Sequence, residues 1–211
     1  MFGVESQLHI LLLAVVAILA VLNPFGNLPQ FISMTEGLSA LVRKKLFRNI
    51  LYTSFVIVIV FLFLGPFIMT YLFRVSINDL RIAGGLLLIL VSVKKLLLPA
   101  ATKDFSHYQG LSEEELLSRS LVPMAFPMLV GPGTLSTVVV IAEENGLYIT
   151  SGAVCVAFVF MLILFHFAAT IEKVLGKLVL HVFSRIALVF IMAMGVKLII
   201  TGVKAIFSLN P

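Results

Sequence analysis

Apolar residues run almost unbroken over positions 7–37, 47–72, 77–98, 120–142, 148–170 and 185–207, with short polar connections between them. Each run approaches or exceeds the roughly 20 residues that a helix needs to cross a bilayer. The runs are continuous and do not alternate, which predicts helices and disfavours a strand barrel. The expected architecture is an all-α integral membrane protein with six transmembrane helices. Inside the first run, however, stands NPFGNLPQF, where two prolines, a glycine and two asparagines interrupt the apolar pattern.

Composition agrees with a lipid environment: 61% of residues are hydrophobic and only 12% charged, against about 25% charged in soluble domains. The first run lacks a basic leading region and a small-residue cleavage pattern, so it is expected to stay as a helix. Lys and Arg are unevenly divided. Arg43, Lys44, Lys45, Arg48, Lys94, Lys95, Lys103, Arg119, Lys173, Lys177 and Arg185 fall on one side of the predicted membrane, and Arg74, Arg81 and Lys204 on the other. The positive-inside rule then places both termini outside a cytoplasmic (inner) membrane. The net charge of +5 reports this topology, since no clustered basic face or aromatic platform suits nucleic acid.

The halves of the chain resemble each other. Asn23-Pro24 aligns with Gly131-Pro132, Gly26 with Gly133 and Asn27 with Thr134; Arg-Ile-Ala opens both the third run, at Arg81, and the sixth, at Arg185. This predicts a three-helix repeat over 1–98, a cytoplasmic connection over 99–119 and a second repeat over 120–211. Ser112 begins a short amphipathic helix in the connection. Three crossings are an odd number, so the second repeat enters the membrane inverted, a common transporter design.

Breaks in the first and fourth helices need a reason, because an interior proline costs about 3 kcal/mol and bare backbone polar groups in lipid cost more. Discontinuous membrane helices expose amides and carbonyls that can hold a solute. Asn27 and Thr134 are expected as N-caps of the resuming half-helices, with Pro24 and Gly26 keeping the first break unwound. Two helix N-termini favour a carboxylate. The candidate substrate-binding residues are therefore Asn23, Pro24, Gly26, Asn27, Gly131, Pro132, Gly133 and Thr134.

The segments NPFGNLPQFISMTEG and GPGTLSTVVVIA, in a chain of this length and pattern, resemble the MarC family of membrane proteins. That family includes SnatA-type transporters of small neutral amino acids, with six helices of which the first and fourth are discontinuous. The resemblance implies transport of glycine- or alanine-like substrates, with the eight residues above at the two discontinuities.

Other polar residues offer secondary roles. Glu36, Glu143 and His166 are candidates for coupling or gating, with protons as the candidate coupling ion. Glu144 shares the helix end with Glu143. Lys94 and Lys197 can snorkel or gate; Gly84, Gly85 and Gly195 suit close helix packing. Cys155, the single cysteine, excludes an internal disulfide and is expected as a small core residue. Without HExxH, GxSxG, paired aspartates or a cysteine-histidine pair in the runs, no enzyme, metal or cofactor is expected. The expected function is secondary transport of a small neutral amino acid by alternating access. The alternatives are an exporter of other small metabolites and a channel or structural membrane protein.

Overall fold

The computed structural model describes residues 2–35, 38–97, 114, 115, 118 and 120–207. Among these, every regular element is helical: α1 (Phe2–Leu22), α2 (Pro24–Met34), α3 (Ala40–Phe67), α4 (Ile77–Leu97), α5 (Ser120–Leu129), α6 (Pro132–Asn145), α7 (Leu147–His166) and α8 (Ala168–Ile206). Glu36 and the connection from Ser112 lie outside the described residues, apart from 114, 115 and 118.

Local chemistry sets the helix boundaries. Ser39 caps α3, its hydroxyl accepting from the Val42 amide at 3.3 Å. At α4 the Ser76 hydroxyl accepts from the Asp79 amide at 3.2 Å while Asp79 Oδ2 accepts from the Ser76 amide at 3.0 Å, a reciprocal capping box. Pro123 and Pro127 cannot donate, and α5 takes a wider π-helical register in which the Val130 amide reaches the Ala125 carbonyl at 3.0 Å. A second π-helical turn, Ile68–Leu72, closes α3 after Pro66. Gly176, with φ 74°, breaks the helical path inside α8.

Among the described residues, four helical spans are long and apolar enough to cross a membrane: Glu5–Ile32, Ala40–Leu72, Leu147–His166 and Leu178–Ile206. Glu5–Ile32 runs across the break between α1 and α2. The other two expected crossings do not meet that standard. Helix α4 carries Asp79, Arg81, Lys94 and Lys95, and the fourth run is divided into segments of 10 and 14 residues.

Packing follows the membrane pattern. Leu12, Phe63, Leu90 and Ile163 are exposed, as expected where the solvent is lipid. Cys155 is also exposed, on the outer face of α7, which corrects the expectation of a core position: the surrounding hydrocarbon accepts a thiol as readily as a core does. The interior is held by Phe31, Phe47 and Phe165, whose rings lie 5.5 to 6.3 Å apart and join α2, α3 and α7.

Helices α4 and α8 pack antiparallel, and the glycines do there what their sequence positions predict. A Cβ added to Gly85 would lie 2.5 Å from the Gly195 carbonyl oxygen, and one added to Gly195 would lie 2.7 Å from that of Gly85. Backbone meets backbone because neither residue has a side chain. Gly84 makes room for Ser136 of α6 in the same way. Arg185 of α8 donates to the Lys95 carbonyl at 3.1 Å and to that of Leu96, supplying partners at the C-terminal end of α4.

Candidate functional site

The first helix is interrupted at one residue. Leu22 ends α1, Pro24 begins α2, and Asn23 between them has φ 46°, a left-handed conformation that asparagine tolerates better than most residues. Its Oδ1 accepts from the Gly26 amide at 3.1 Å, satisfying an N-terminal donor of α2. A Cβ on Gly26 would sit 2.3 Å from Asn23 Nδ2, so the glycine leaves room for the capping side chain.

The cap is thus Asn23, and the expectation that Asn27 fills that role is corrected. Asn27 lies inside α2 and points back, its Nδ2 donating to the Leu22 carbonyl at 2.7 Å. One asparagine serves the start of α2 and the other the end of α1. Pro24 and Gly26 are both helical. Proline at the first helical position loses no hydrogen bond there, which keeps the break short.

The start of α6 is built on the same plan. Gly131 is the residue before the helix, with φ −100° and ψ 175°, and Pro132 opens it. Thr134 stands in the first turn, its amide donating to the Gly131 carbonyl at 3.0 Å, so it is not the N-cap. Farther along, Ser136 and Thr137 hydroxyls both donate to the Gly133 carbonyl, at 3.0 and 2.8 Å.

A cavity of about 870 Å³ lies among α1, α6 and α8, beside the Asn23 break. It extends along α1 from Ile10 to Asn23, about 20 Å at 1.5 Å per residue. Its walls are mainly apolar, with Ala14, Ala17, Val140, Phe160, Phe190 and Met194 among them. The polar groups form two tiers. Asn23 and Thr137 lie deep; Glu144, Asn145, Lys197 and Thr201 lie toward the C-terminal ends of α6 and α8. At the deep end Phe25 lines the cavity and packs on Phe183, ring centroids 5.7 Å apart.

Of the residues singled out for substrate binding, Asn23 and Pro24 line this cavity, whereas Gly26, Asn27, Gly131, Pro132, Gly133 and Thr134 do not. Gly133 packs against Leu88 of α4, and Thr134 is buried. The second motif reaches the cavity through the helix it starts, by way of Thr137 and Glu144. Glu143 is exposed, and His166 is exposed at the end of α7 with its ring edge-on to Phe167. Glu36 is outside the described residues.

Sequence reasoning passed over Thr137, Asn145 and Thr201, although a signal exists. Thr137, Ile141 and Glu144 recur at helical spacing on one face of α6, and Lys197 and Thr201 are one turn apart in an otherwise apolar stretch of α8.

The charges at the shallow tier are unequal. Arg81 Nη2 donates to Glu144 Oε1 at 3.1 Å, and Arg81 Nη1 donates to Asn78 Oδ1 at 2.7 Å. Lys197 has no ion-pair partner among the described residues. It lies nine residues, about 14 Å, before the end of α8. Lys197 is exposed, and it lines the cavity in an otherwise apolar stretch of α8, where an ionisable side chain is uncommon.

A model for "MarC family integral membrane protein" matches residues 8–207. The chain is 31% identical to the UPF0056 membrane protein YvbG of Bacillus subtilis over 197 residues, covering 91% of this chain and 93% of YvbG. It is 32% identical to the UPF0056 membrane protein YhcE of Escherichia coli over 197 residues, 91% of each chain. A UPF0056 membrane protein of Archaeoglobus fulgidus shares 31% identity over 187 residues, 86% of each. No solved structure matches the chain. With its apolar helices, its break at Asn23 and a family match over nearly all its length, the chain belongs to the MarC family of integral membrane proteins.

Proposed function

We propose that the protein is a secondary transporter of small neutral amino acids, glycine- or alanine-like, in the cytoplasmic membrane. The observation that carries this reading is the cavity into which the helix break at Asn23 opens, with a few polar groups set in apolar walls. Such a site offers hydrogen bonds to the charged ends of a small zwitterion and apolar contact to its side chain.

In this reading the chain crosses the membrane six times as two inverted three-helix repeats, with both termini outside. The packing supports the inversion. Helix α1 packs on α7 as α5 packs on α3, α2 packs on α8 as α6 packs on α4, and α3–α7 and α4–α8 pair across the axis. Exchanging the halves reproduces these pairings, while α1–α6, α6–α7 and α1–α8 have no comparable equivalent among the described residues, and both resuming half-helices begin with proline at their first position. Alternating access then rocks one repeat against the other, with protons as the candidate coupling ion.

One observation favours a second reading within transport, the export of other small metabolites: the cavity is far larger than glycine or alanine. Purified protein in liposomes distinguishes the two. Counterflow of glycine, alanine and serine, with and without a proton gradient, is expected from the first reading. Flux confined to larger solutes supports the second, and no flux of any small solute overturns both.

A further inference from the structure

We propose that Lys197 is the carboxylate-binding residue of the cavity and makes it selective for zwitterions over amines. The proposal rests on the transporter reading and assigns the chemistry of its recognition step.

The charged side chains at the cavity wall do not cancel. Glu144 is already paired with Arg81 at 3.1 Å, and Lys197 has no anionic partner among the described residues. Glu144 is offset by Arg81 from behind the wall, so Lys197 is the cation at this end of the cavity that is left without an anion, among mainly apolar neighbours. A carboxylate entering the cavity supplies it. Lysine suits the task, being a compact charge on a flexible stem that can follow a small ligand.

The rest of the wall fits the other end of a zwitterion. Glu144, 47% exposed, keeps oxygen lone pairs beyond its bond to Arg81, and Asn145, Thr137 and Thr201 add neutral oxygen acceptors. An ammonium group finds partners there once the carboxylate has met Lys197. A simple amine uses the acceptors but leaves Lys197 without an anion. A simple carboxylate satisfies Lys197 and leaves the acceptors unused. The expected order of binding is zwitterion, then monocarboxylate, then amine, and a free inorganic anion such as chloride falls below the zwitterion for the same reason.

The test uses the full-length chain in liposomes and detergent. Wild type, Lys197→Met and Lys197→Arg are compared for alanine counterflow, for competition by propionate, ethylamine and chloride, and for the rise in melting temperature on adding alanine. Lys197→Met is expected to raise the alanine KM about 10- to 100-fold, as befits loss of a charge-assisted hydrogen bond, and to abolish the melting shift. Lys197→Arg should restore most of the affinity. Lys94→Met, at an exposed position away from the cavity, should leave KM unchanged. A ligand-free melting temperature equal to wild type separates loss of binding from loss of fold. Wild-type flux with an unaltered KM in Lys197→Met overturns the role of Lys197 and leaves the transporter reading standing. Ethylamine competing as well as alanine overturns the charge selectivity, and propionate or chloride competing as well as alanine overturns the zwitterion. Neither flux nor melting shift in the wild type overturns the transporter reading and this proposal with it.

Discussion

Arg81 of α4 and Glu144 of α6, 63 positions apart in the chain, meet at 3.1 Å at the shallow end of the cavity, and the two sides of the pair are unequally buried. The arginine side chain is 12% exposed and the glutamate 47%. Solvent therefore screens the attraction, and Glu144→Gln is expected to cost less than about 1 kcal/mol. Arg81 also donates to Asn78 Oδ1, and its side chain is the more buried of the pair. Arg81→Ala should accordingly cost more than Glu144→Gln. Thermal unfolding in detergent at low and high salt checks both, and an equal or larger loss from Glu144→Gln would contradict this division.

The contact between α4 and α8 predicts a steep response to small side chains. Gly85→Ala and Gly195→Ala each drive a Cβ into a backbone carbonyl oxygen, which cannot move aside as a side chain can. Each is expected to lower stability by about 1–3 kcal/mol, the usual range for overpacking. Gly152→Ala is the control, since its Cβ would meet only Leu11 Cδ1 at an ordinary 3.5 Å. If all three variants melt alike, the backbones do not approach as described.

Asn23 and Asn27 should separate when mutated. Asn27→Ala leaves the buried Leu22 carbonyl without its side-chain donor and is expected to cost roughly 1–3 kcal/mol. Asn23→Gly keeps a residue at ease with φ 46° and should cost only a few tenths of a kcal/mol as a cap. It removes the amide from the cavity, however. Melting temperature and alanine counterflow measured together should show Asn27→Ala losing stability first, and Asn23→Gly losing transport first. The opposite order would place the functional amide at Asn27.

Cys155 gives a check on the membrane-facing surface. As the one cysteine, exposed on α7 beside the exposed Val156 and Val159, it should react with a membrane-permeant maleimide and resist a charged thiol reagent in intact membranes. Rapid labelling by the charged reagent in membranes would place this face of α7 in water.

Much of this protein was legible in the sequence, because lipid imposes a rule that can be read residue by residue. A segment in hydrocarbon must be apolar and must satisfy its own backbone, so the helices and the interruption at NPFGNLPQF announce themselves in order along the chain. The glycines at 85 and 195 were equally readable, since a residue without a side chain in an apolar helix marks a close approach. What the motif could not reveal was the division of labour inside it. Both asparagines have the chemistry of a cap. Only the path of the chain decides that Asn23 turns left-handed to cap α2 while Asn27 reaches back to Leu22.

The cavity belongs to tertiary structure alone. Local pattern marks Lys197 and Glu144 as charges near helix ends, and nothing local distinguishes a snorkelling side chain from one facing a cavity. In the fold α4 brings Arg81 to Glu144, and Lys197 has no anionic partner among the described residues. The sequence by itself determined that the chain is built of apolar helices and where the first of them breaks, because those follow from the free energy of each residue in lipid. The packing of α1, α6 and α8 decided which polar groups share one space, because that depends on the relative rotation of helices distant in the chain.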